Sequence, residues 1–191
     1  MYSFYFTIEI ALGLAWVVTW NLAAFWRAKA TAQAPRGSYR LLIVFAALGL
    51  FMVFNNLPTF RFPKLWSVGP VLGWSMIALT AAGIAFMWWA RFHLGKLWSG
   101  GVEVKHGHRV VDTGPYAWTR HPIYTGLILS AFAAAALRAT PWAFLGATLV
   151  ALGFALKARV EERFLEKEIG GYDVYRKRVP MIVPLLKFQG R

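Results

Sequence analysis

The segment formed by residues 114–126 holds the chain's most reactive combination of side chains. It reads G-P-Y-A-W-T-R-H-P-I-Y-T-G, and in it Arg120 and His121 are followed directly by Pro122. Proline suits the first turn of a helix, where free N–H groups and the helix dipole favour an anion. Arg120 can hold a carboxylate through two parallel hydrogen bonds. The pattern predicts an anion-binding helix start, and a snorkelling arginine beside a capping histidine is the competing interpretation.

The acidic pair Glu161-Glu162 is the second candidate group. The chain has only 8 acidic residues, and these two lie near the start of a charged amphipathic segment, residues 157–169. A solvated helix face with ordinary i,i+4 neighbours explains the pair in structural terms. An acid that binds a cation or a ribose hydroxyl is the functional interpretation. The residues alone leave both open.

The histidines do not form a metal-binding pattern. His106 and His108 lie two residues apart, His93 and His121 are distant, and no H-E-x-x-H sequence occurs. The chain has no cysteine, which excludes disulfides, cysteine-ligated zinc and a cysteine nucleophile. We therefore expect no metal partner.

The composition indicates a membrane protein. Of the 191 residues 58% are hydrophobic and 15% are charged, and there are 10 tryptophans, a residue enriched at membrane interfaces. The net charge of +13 is compatible with nucleic acid binding. However, the basic residues lie between apolar runs, which favours positive-inside topology and no nucleic acid partner.

The elements that must position these residues are apolar runs at residues 2–26, 41–60, 67–89, 127–137 and 142–156. The first three are long enough to cross the hydrocarbon core of a bilayer, and the last two predict a helical hairpin over residues 122–157. The segments after the five runs carry four, two, five, one and nine Lys and Arg residues. Segments with many Lys and Arg residues alternate with segments that have few. We therefore expect five transmembrane helices, with residues 91–121 and the tail in the cytoplasm.

Glu9 is the one charged residue of the first apolar run. An acid within a membrane span is a functional hypothesis by default. Its position within about two turns of the outer end favours interfacial snorkelling instead.

Several short motifs occur in an order that resembles the isoprenylcysteine carboxyl methyltransferase family. That family lies within a wider group of integral-membrane methyltransferases that includes phospholipid N-methyltransferases. The resemblance covers roughly residues 91–187. The matching residues are Leu94-Gly95, Trp98-Ser99, His108-Arg109-Val110-Val111, Gly114-Pro115-Tyr116, Arg120-His121-Pro122-Ile123-Tyr124-Thr125-Gly126, Glu161-Glu162, Gly171-Tyr172, Tyr175, Arg178-Val179-Pro180 and Pro184.

The resemblance implies S-adenosyl-L-methionine as cofactor and S-adenosylhomocysteine as product. It implies these cofactor-binding residues: His108, Arg109, Val110, Val111, Tyr116, Arg120, His121, Pro122, Ile123, Tyr124, Glu161 and Glu162. Family members carry a substrate-facing arginine one helical turn before the glutamate, where this chain has Lys157, with Arg159 two positions on. The candidate catalytic residues are accordingly Arg120, Lys157, Arg159 and Glu161. Lysine lacks the arginine fork, so the contact to a substrate carboxylate is expected to differ here.

The predicted fold is an all-α integral membrane protein with five transmembrane helices, a cytoplasmic cofactor-binding loop and a C-terminal amphipathic helix. Residues 1–90 are expected to form three N-terminal membrane helices. Residues 91–191 are expected to form the methyltransferase core, which comprises the loop, the hairpin 122–157, the C-terminal helix and the tail. We expect a multi-pass protein of the inner or plasma membrane with its active site facing the cytoplasm.

The expected acceptor is a lipophilic small molecule or lipidated substrate within membrane lipid. A carboxylate, such as a prenylcysteine-like C-terminus, is favoured because it is ionised at neutral pH and needs alignment and a dry site rather than a general base. A phospholipid amine or a lipophilic thiol is the alternative acceptor. An NADPH-dependent sterol-type membrane reductase and a non-catalytic membrane subunit are the competing functions from other classes.

Overall fold

A computed structural model describes residues 4–26, 28–35, 37–55, 62–105, 107 and 109–184 of the chain. Within these ranges it contains six α-helices, two short strands and two 3-10 turns, Gly95–Leu97 and Gly114–Ala117. The helices and strands in chain order are α1 Phe4–Ala23, β1 Ala30–Gln33, α2 Gly37–Phe54, α3 Pro70–Leu94, β2 Glu103–Lys105, α4 Pro122–Arg138, α5 Pro141–Glu168 and α6 Tyr172–Arg178.

Three helices in the described part of the chain are long and apolar enough to cross a membrane. They are α1, α3 together with the 3-10 turn that follows it, and α5. Two further apolar helices are shorter, Tyr39–Phe54 and Pro122–Arg138. The protein is therefore a helical membrane protein with at least three helices of spanning length.

Close packing of glycines brings the helices together in pairs. α2 packs along α5, and α3 packs along α4. A Cβ atom added to Gly126 would lie 2.5 Å from the carbonyl oxygen of Gly83, and one added to Gly146 would lie 2.6 Å from that of Gly49. Because a side chain at either position would force the backbones apart, these glycines set the spacing of the helices that carry the functional residues.

The prediction of an all-α protein is wrong in one respect, because β1 and β2 pair as an antiparallel two-stranded sheet. Strands of four and three residues are too short to show the alternating pattern by which a strand is recognised in a sequence. The buried Lys105 at the end of β2 donates hydrogen bonds to the carbonyl of Lys96, at 3.0 Å, and to that of Trp98. The sheet thereby fixes the loop before α4 to the linker between α1 and α2.

Glu9 does not snorkel to the interface. Its side chain is only 2% exposed, and its Oε1 accepts a 2.6 Å hydrogen bond from the Thr80 hydroxyl of α3. The interpretation of Glu9 as an interfacial residue is therefore wrong. Glu9 lies between α1 and α3, inside the protein.

The predicted boundaries differ from the structure in the second helix and in the tail. The second helix ends at Phe54 rather than at residue 60, and residues 56–61 lie outside the described part. The amphipathic segment 157–169 is the uninterrupted end of α5, and Glu161-Glu162 therefore lie well inside a 28-residue helix. The tail contains a short helix, α6, which begins after Gly171, whose φ of 80° favours glycine.

Candidate active site

A cavity of about 240 Å³ lies where α1, the loop before α4, the first turn of α4, the last turns of α5 and α6 meet. Most of the residues that the sequence nominated line this site cavity. They are Arg109, Val110, Val111, Tyr116, Arg120, His121, Pro122, Ile123, Tyr124, Lys157 and Glu161.

Three nominated residues are not among the lining residues. His108 lies outside the described part of the chain. Glu162 is buried, with 3% exposure, behind the residues that line the cavity. Arg159 is exposed on α5, whereas Lys157 is buried and lines the cavity, so the two basic residues are separated.

The Glu162 carboxylate is held by a bidentate pair with Arg120. Its Oε1 lies 2.7 Å from Arg120 Nε and its Oε2 lies 3.0 Å from the NH2 nitrogen of the same guanidinium. His121 Nε2 lies 3.0 Å from Oε1. The interpretation of Glu162 as a solvated helix residue is therefore wrong, because it is buried against partners in the segment that precedes α4. Arg120 does hold a carboxylate through two hydrogen bonds, but this carboxylate is the side chain of Glu162 and not a ligand.

The tail closes over the start of α4 through backbone carbonyls. Arg120 NH1 donates to the carbonyls of Arg176, at 2.7 Å, and of Val179. The backbone N–H groups of Arg120 and His121 donate to the carbonyls of Pro180 and Met181 at 2.9 and 3.0 Å. Both donors precede Pro122, the first residue of α4, and the tail carbonyls satisfy them. The tail forms one wall of the site.

A chain of hydrogen bonds connects a cation and an anion along one wall of the cavity. The Tyr124 hydroxyl donates to Glu161 Oε2 at 2.7 Å and accepts from Lys157 Nζ at 2.6 Å. The Lys157 ammonium also lies 4.9 Å from the centre of the Tyr124 ring. The His121 ring stacks parallel to that of Tyr124, with centroids 5.2 Å apart. The arrangement places an ammonium, a phenol and a carboxylate side by side on one wall.

The loop geometry that presents Tyr116 depends on a glycine. Gly114 has a φ of 57°, and a Cβ atom there would lie 2.8 Å from Cε1 of His93. Pro115 follows within the 3-10 turn Gly114–Ala117, which buries Tyr116. The backbone carbonyl of Tyr116 accepts a 2.8 Å hydrogen bond from the Tyr175 hydroxyl. The G-P-Y sequence is therefore a turn built to set one aromatic ring into the cavity wall.

The phenols of the loop and tail remain protonated at neutral pH. Burial raises the pKa of Tyr116, Tyr172 and Tyr175 well above the usual value for tyrosine. The desolvated phenolate is the disfavoured form, and the nearby carboxylates add to this effect. These side chains can therefore donate hydrogen bonds but do not serve as bases.

Two tryptophans of α1 that no sequence motif nominated reach the cavity. Trp16 and Trp20 line it beside Trp98 of the loop, and the rings of Trp20 and Trp98 meet edge to face at 5.5 Å. Their i,i+4 spacing was the available signal, but tryptophans within an apolar run are also expected as interfacial anchors. In the part of the chain that the structure describes, no group of three His, Cys, Asp or Glu side chains is placed to hold a metal ion.

The lining suits a ligand that carries both a positive charge and hydroxyl groups. Aromatic faces attract cations and stack on flat rings, and Tyr116, Tyr124 and Trp98 supply such faces. The Glu161 carboxylate can accept hydrogen bonds from hydroxyl or ammonium groups. Arg109 and Lys157 can hold an anionic group of the same ligand or of a second one.

Comparison with known proteins shows which family part of this chain is similar to. Residues 76–167 match the model of the isoprenylcysteine carboxyl methyltransferase (ICMT) family. The resemblance drawn from the motifs is therefore confirmed over this region. The match includes α4, nearly all of α5 and the loop that carries Tyr116.

Three curated relatives are similar to parts of the chain. The protein-S-isoprenylcysteine O-methyltransferase of Xenopus laevis is 32% identical over 87 residues, which is 44% of this chain and 30% of the relative. Methanethiol S-methyltransferase 1 of Bradyrhizobium diazoefficiens is 28% identical, over 84% of this chain and 58% of the relative. The cobalt-zinc-cadmium resistance protein CzcN of Cupriavidus metallidurans is 26% identical, over 78% and 63%. The chain thus spans less than two thirds of each of these relatives.

Replacement of Glu162 by glutamine should loosen the tail. The change leaves Arg120 and His121 without their shared anion in a buried place, which typically costs about 3 kcal/mol of unfolding free energy. We expect a lower unfolding temperature in detergent and faster tryptic cleavage after Arg176, Lys177 and Arg178.

The matched control for this variant is Glu166→Gln. Glu166 pairs with Arg176 at 2.8 Å on the partly exposed side of the same helix, where an ion pair is worth roughly 0–1 kcal/mol. Equal effects of the two variants would contradict a special role of Glu162 in holding the tail.

Proposed function

We propose that this protein is an S-adenosyl-L-methionine-dependent methyltransferase of the membrane that acts on a lipophilic acceptor. The observation that carries the proposal is the convergence of separate motifs on one cavity. Residues of the loop, of the Arg-His-Pro segment, of α5 and of α6 are far apart in sequence, yet they line the same space. The family match over residues 76–167 supports a methyltransferase and does not favour a sterol-type reductase or a non-catalytic subunit.

We assign the cofactor to the aromatic and acidic part of the site cavity. Tyr116, the backbone of residues 109–111, His121, Pro122 and Ile123 would hold it. Glu161 would accept hydrogen bonds from its hydroxyl or amino groups. His108 is kept in this set only through the family resemblance. When bound, S-adenosyl-L-methionine supplies an electrophilic methyl group on a sulfonium cation.

Lys157 is the basic residue best placed to hold the acceptor. The guanidinium of Arg120 is already committed to Glu162 and to the tail carbonyls, and Arg159 is exposed outside the cavity. We therefore assign the substrate contact to Lys157 and not to Arg120 or Arg159. Arg120 keeps a role as a positioning residue.

A carboxylate acceptor suits this arrangement. One of its oxygens would form the new bond to the methyl carbon while the bond from that carbon to sulfur breaks. The electron pair of the broken bond stays on sulfur, S-adenosylhomocysteine leaves, and no proton has to move. The Lys157 ammonium would hold the other oxygen, and the Tyr124 hydroxyl between Lys157 and Glu161 keeps the cation from pairing directly with the acid. The closed tail and apolar helices exclude water, which competes as a nucleophile and weakens the alignment.

A lipophilic thiol is the second candidate acceptor. A thiol must lose its proton before or during transfer, and Glu161 is a carboxylate in the cavity wall that can take one. The similarity to a methanethiol S-methyltransferase over most of this chain also favours this reading.

We further propose that all five apolar helices span the membrane, with the site cavity on the cytoplasmic side. The Lys and Arg distribution supports this orientation. In this arrangement residues 1–90 supply membrane helices and residues 91–191 supply the methyltransferase core. The inner or plasma membrane is the expected location.

S-adenosylhomocysteine should bind the purified protein at micromolar-scale affinity, or about 8 kcal/mol. Tyr116→Ala should weaken binding roughly tenfold, about 1.4 kcal/mol, because it removes a stacking face while the backbone carbonyl that holds Tyr175 remains. Isothermal titration calorimetry in detergent measures both. Trp118→Ala is the control, since Trp118 is an exposed ring two residues away. Binding of NADPH in place of S-adenosylhomocysteine would refute the proposal.

Lys157→Met should raise the apparent KM for a prenylcysteine carboxylate by at least about tenfold, the cost of one charge-assisted hydrogen bond. Affinity for S-adenosylhomocysteine should change little. Arg159→Met tests the other basic residue two positions on. A larger effect of Arg159→Met than of Lys157→Met would contradict the assignment. Comparison with an alkanethiol under the same conditions separates the two acceptor classes.

A further inference from the structure

A second cavity lies beside the site cavity, between α1, α2, α3 and α4. Its volume is about 500 Å³ and its walls are almost wholly apolar. We call it the chamber, and Glu9, Trp16, Leu50, Thr80, Met87 and Leu127 are among the residues that line it. Trp16 and Leu127 line both cavities, so the chamber adjoins the proposed methyl-transfer site.

One face of α1 runs along both cavities. Glu9, Gly13, Trp16 and Trp20 are spaced by four, three and four residues, which places them in line on a helix. Along the helix axis, at 1.5 Å per residue, Glu9 lies about 10 Å from Trp16 and about 16 Å from Trp20. An extended molecule on this face would have one end near the site cavity and the other near Glu9.

The chamber contains polar atoms that have no partner in the described part of the chain. Glu9 is 2% exposed, and its Oε1 accepts from Thr80, but its Oε2 makes no hydrogen bond there. The indole Nε1 of Trp16, at the junction of the two cavities, also makes none. A buried polar atom without a partner costs about 1–3 kcal/mol, and a carboxyl group among apolar walls is therefore expected to have a ligand.

We propose that the chamber binds the tail of a lipophilic molecule that carries a hydroxyl group, and that Glu9 recognises this hydroxyl. A hydroxyl can donate to a carboxylate and accept from a carboxylic acid, so it matches either protonation state of Glu9. An ammonium group would have to enter a chamber whose other walls are apolar, which is costly. If the proposed function holds, this molecule is the methyl acceptor, with its reactive group near Trp16 and its hydroxyl about 10 Å away, seven residues along α1.

The test uses 1-decanol, decane and decylamine as probes with the purified full-length protein. The protein is incubated with equimolar mixtures, freed of excess micelles, and the retained probes are quantified by mass spectrometry. The ratio of retained decanol to decane should be roughly five- to tenfold higher for the wild type than for Glu9→Met, the worth of one hydrogen bond. Because both probes partition into the same micelles, the comparison between variants cancels that effect.

Glu9→Gln is the matched control, because its carboxamide has nearly the same shape and can still donate and accept hydrogen bonds. It should keep most of the preference for decanol. Equal ratios in the wild type and Glu9→Met would overturn the proposal. A Glu9-dependent preference for decylamine over decanol would also overturn it and would indicate a cationic ligand instead.

A measurement on the wild type keeps the proposal testable if Glu9→Met does not fold. Dicyclohexylcarbodiimide modifies buried carboxyl groups, and 1-decanol should slow modification of Glu9 more than decane does. Equal slowing would contradict hydroxyl recognition. None of these measurements needs cofactor or methyl transfer, so they stand if the proposed function fails. Conversely, methyl transfer that changes neither with Glu9→Met nor when a hydroxyl group is added to the acceptor would support the proposed function. The same result would refute binding of the acceptor in the chamber.

Discussion

The buried carboxylate of Glu162 is the constraint on which the site depends. An anion at 3% exposure is tolerated only with charged or hydrogen-bonding partners, and Arg120 and His121 provide them. Those partners belong to the segment that starts α4, whereas Glu162 belongs to α5. Because Arg120 also reaches the carbonyl of Arg176, one ion pair fixes two helices and the tail relative to each other.

This arrangement gives the two adjacent glutamates different tasks. Neighbouring residues on a helix point about 100° apart, and here only Glu161 of the pair lines the cavity. Glu162 is directed to the buried arginine, while Glu161 lines the cavity and accepts from Tyr124. In our account Glu161 binds the ligand, and Glu162 holds the cavity wall in place. The same division explains why Arg120 is a positioning residue although its type and place suggested a ligand contact.

The sequence predicted those parts of the site that lie on strong local signals. Pro122 predicted a helix start, and the ordered motifs nominated Tyr116, His121, Tyr124, Lys157 and Glu161, all of which line one cavity. It did not predict contacts that arise only through folding. The pairing of β1 with β2 depends on strands too short to show a pattern. The burial of Glu9 depends on α3 packing against α1, which no signal within the first apolar run reveals.

Ultraviolet cross-linking of labelled S-adenosyl-L-methionine to the purified chain tests the central claim most directly, because it reports where the cofactor lies without any acceptor. The account predicts covalent label in the peptides that contain Tyr116 and Tyr124. An excess of S-adenosylhomocysteine should abolish the label, and an excess of NADPH should not. Absence of any label that S-adenosylhomocysteine competes for, or competed label confined to peptides outside the cavity such as α2, would contradict the account.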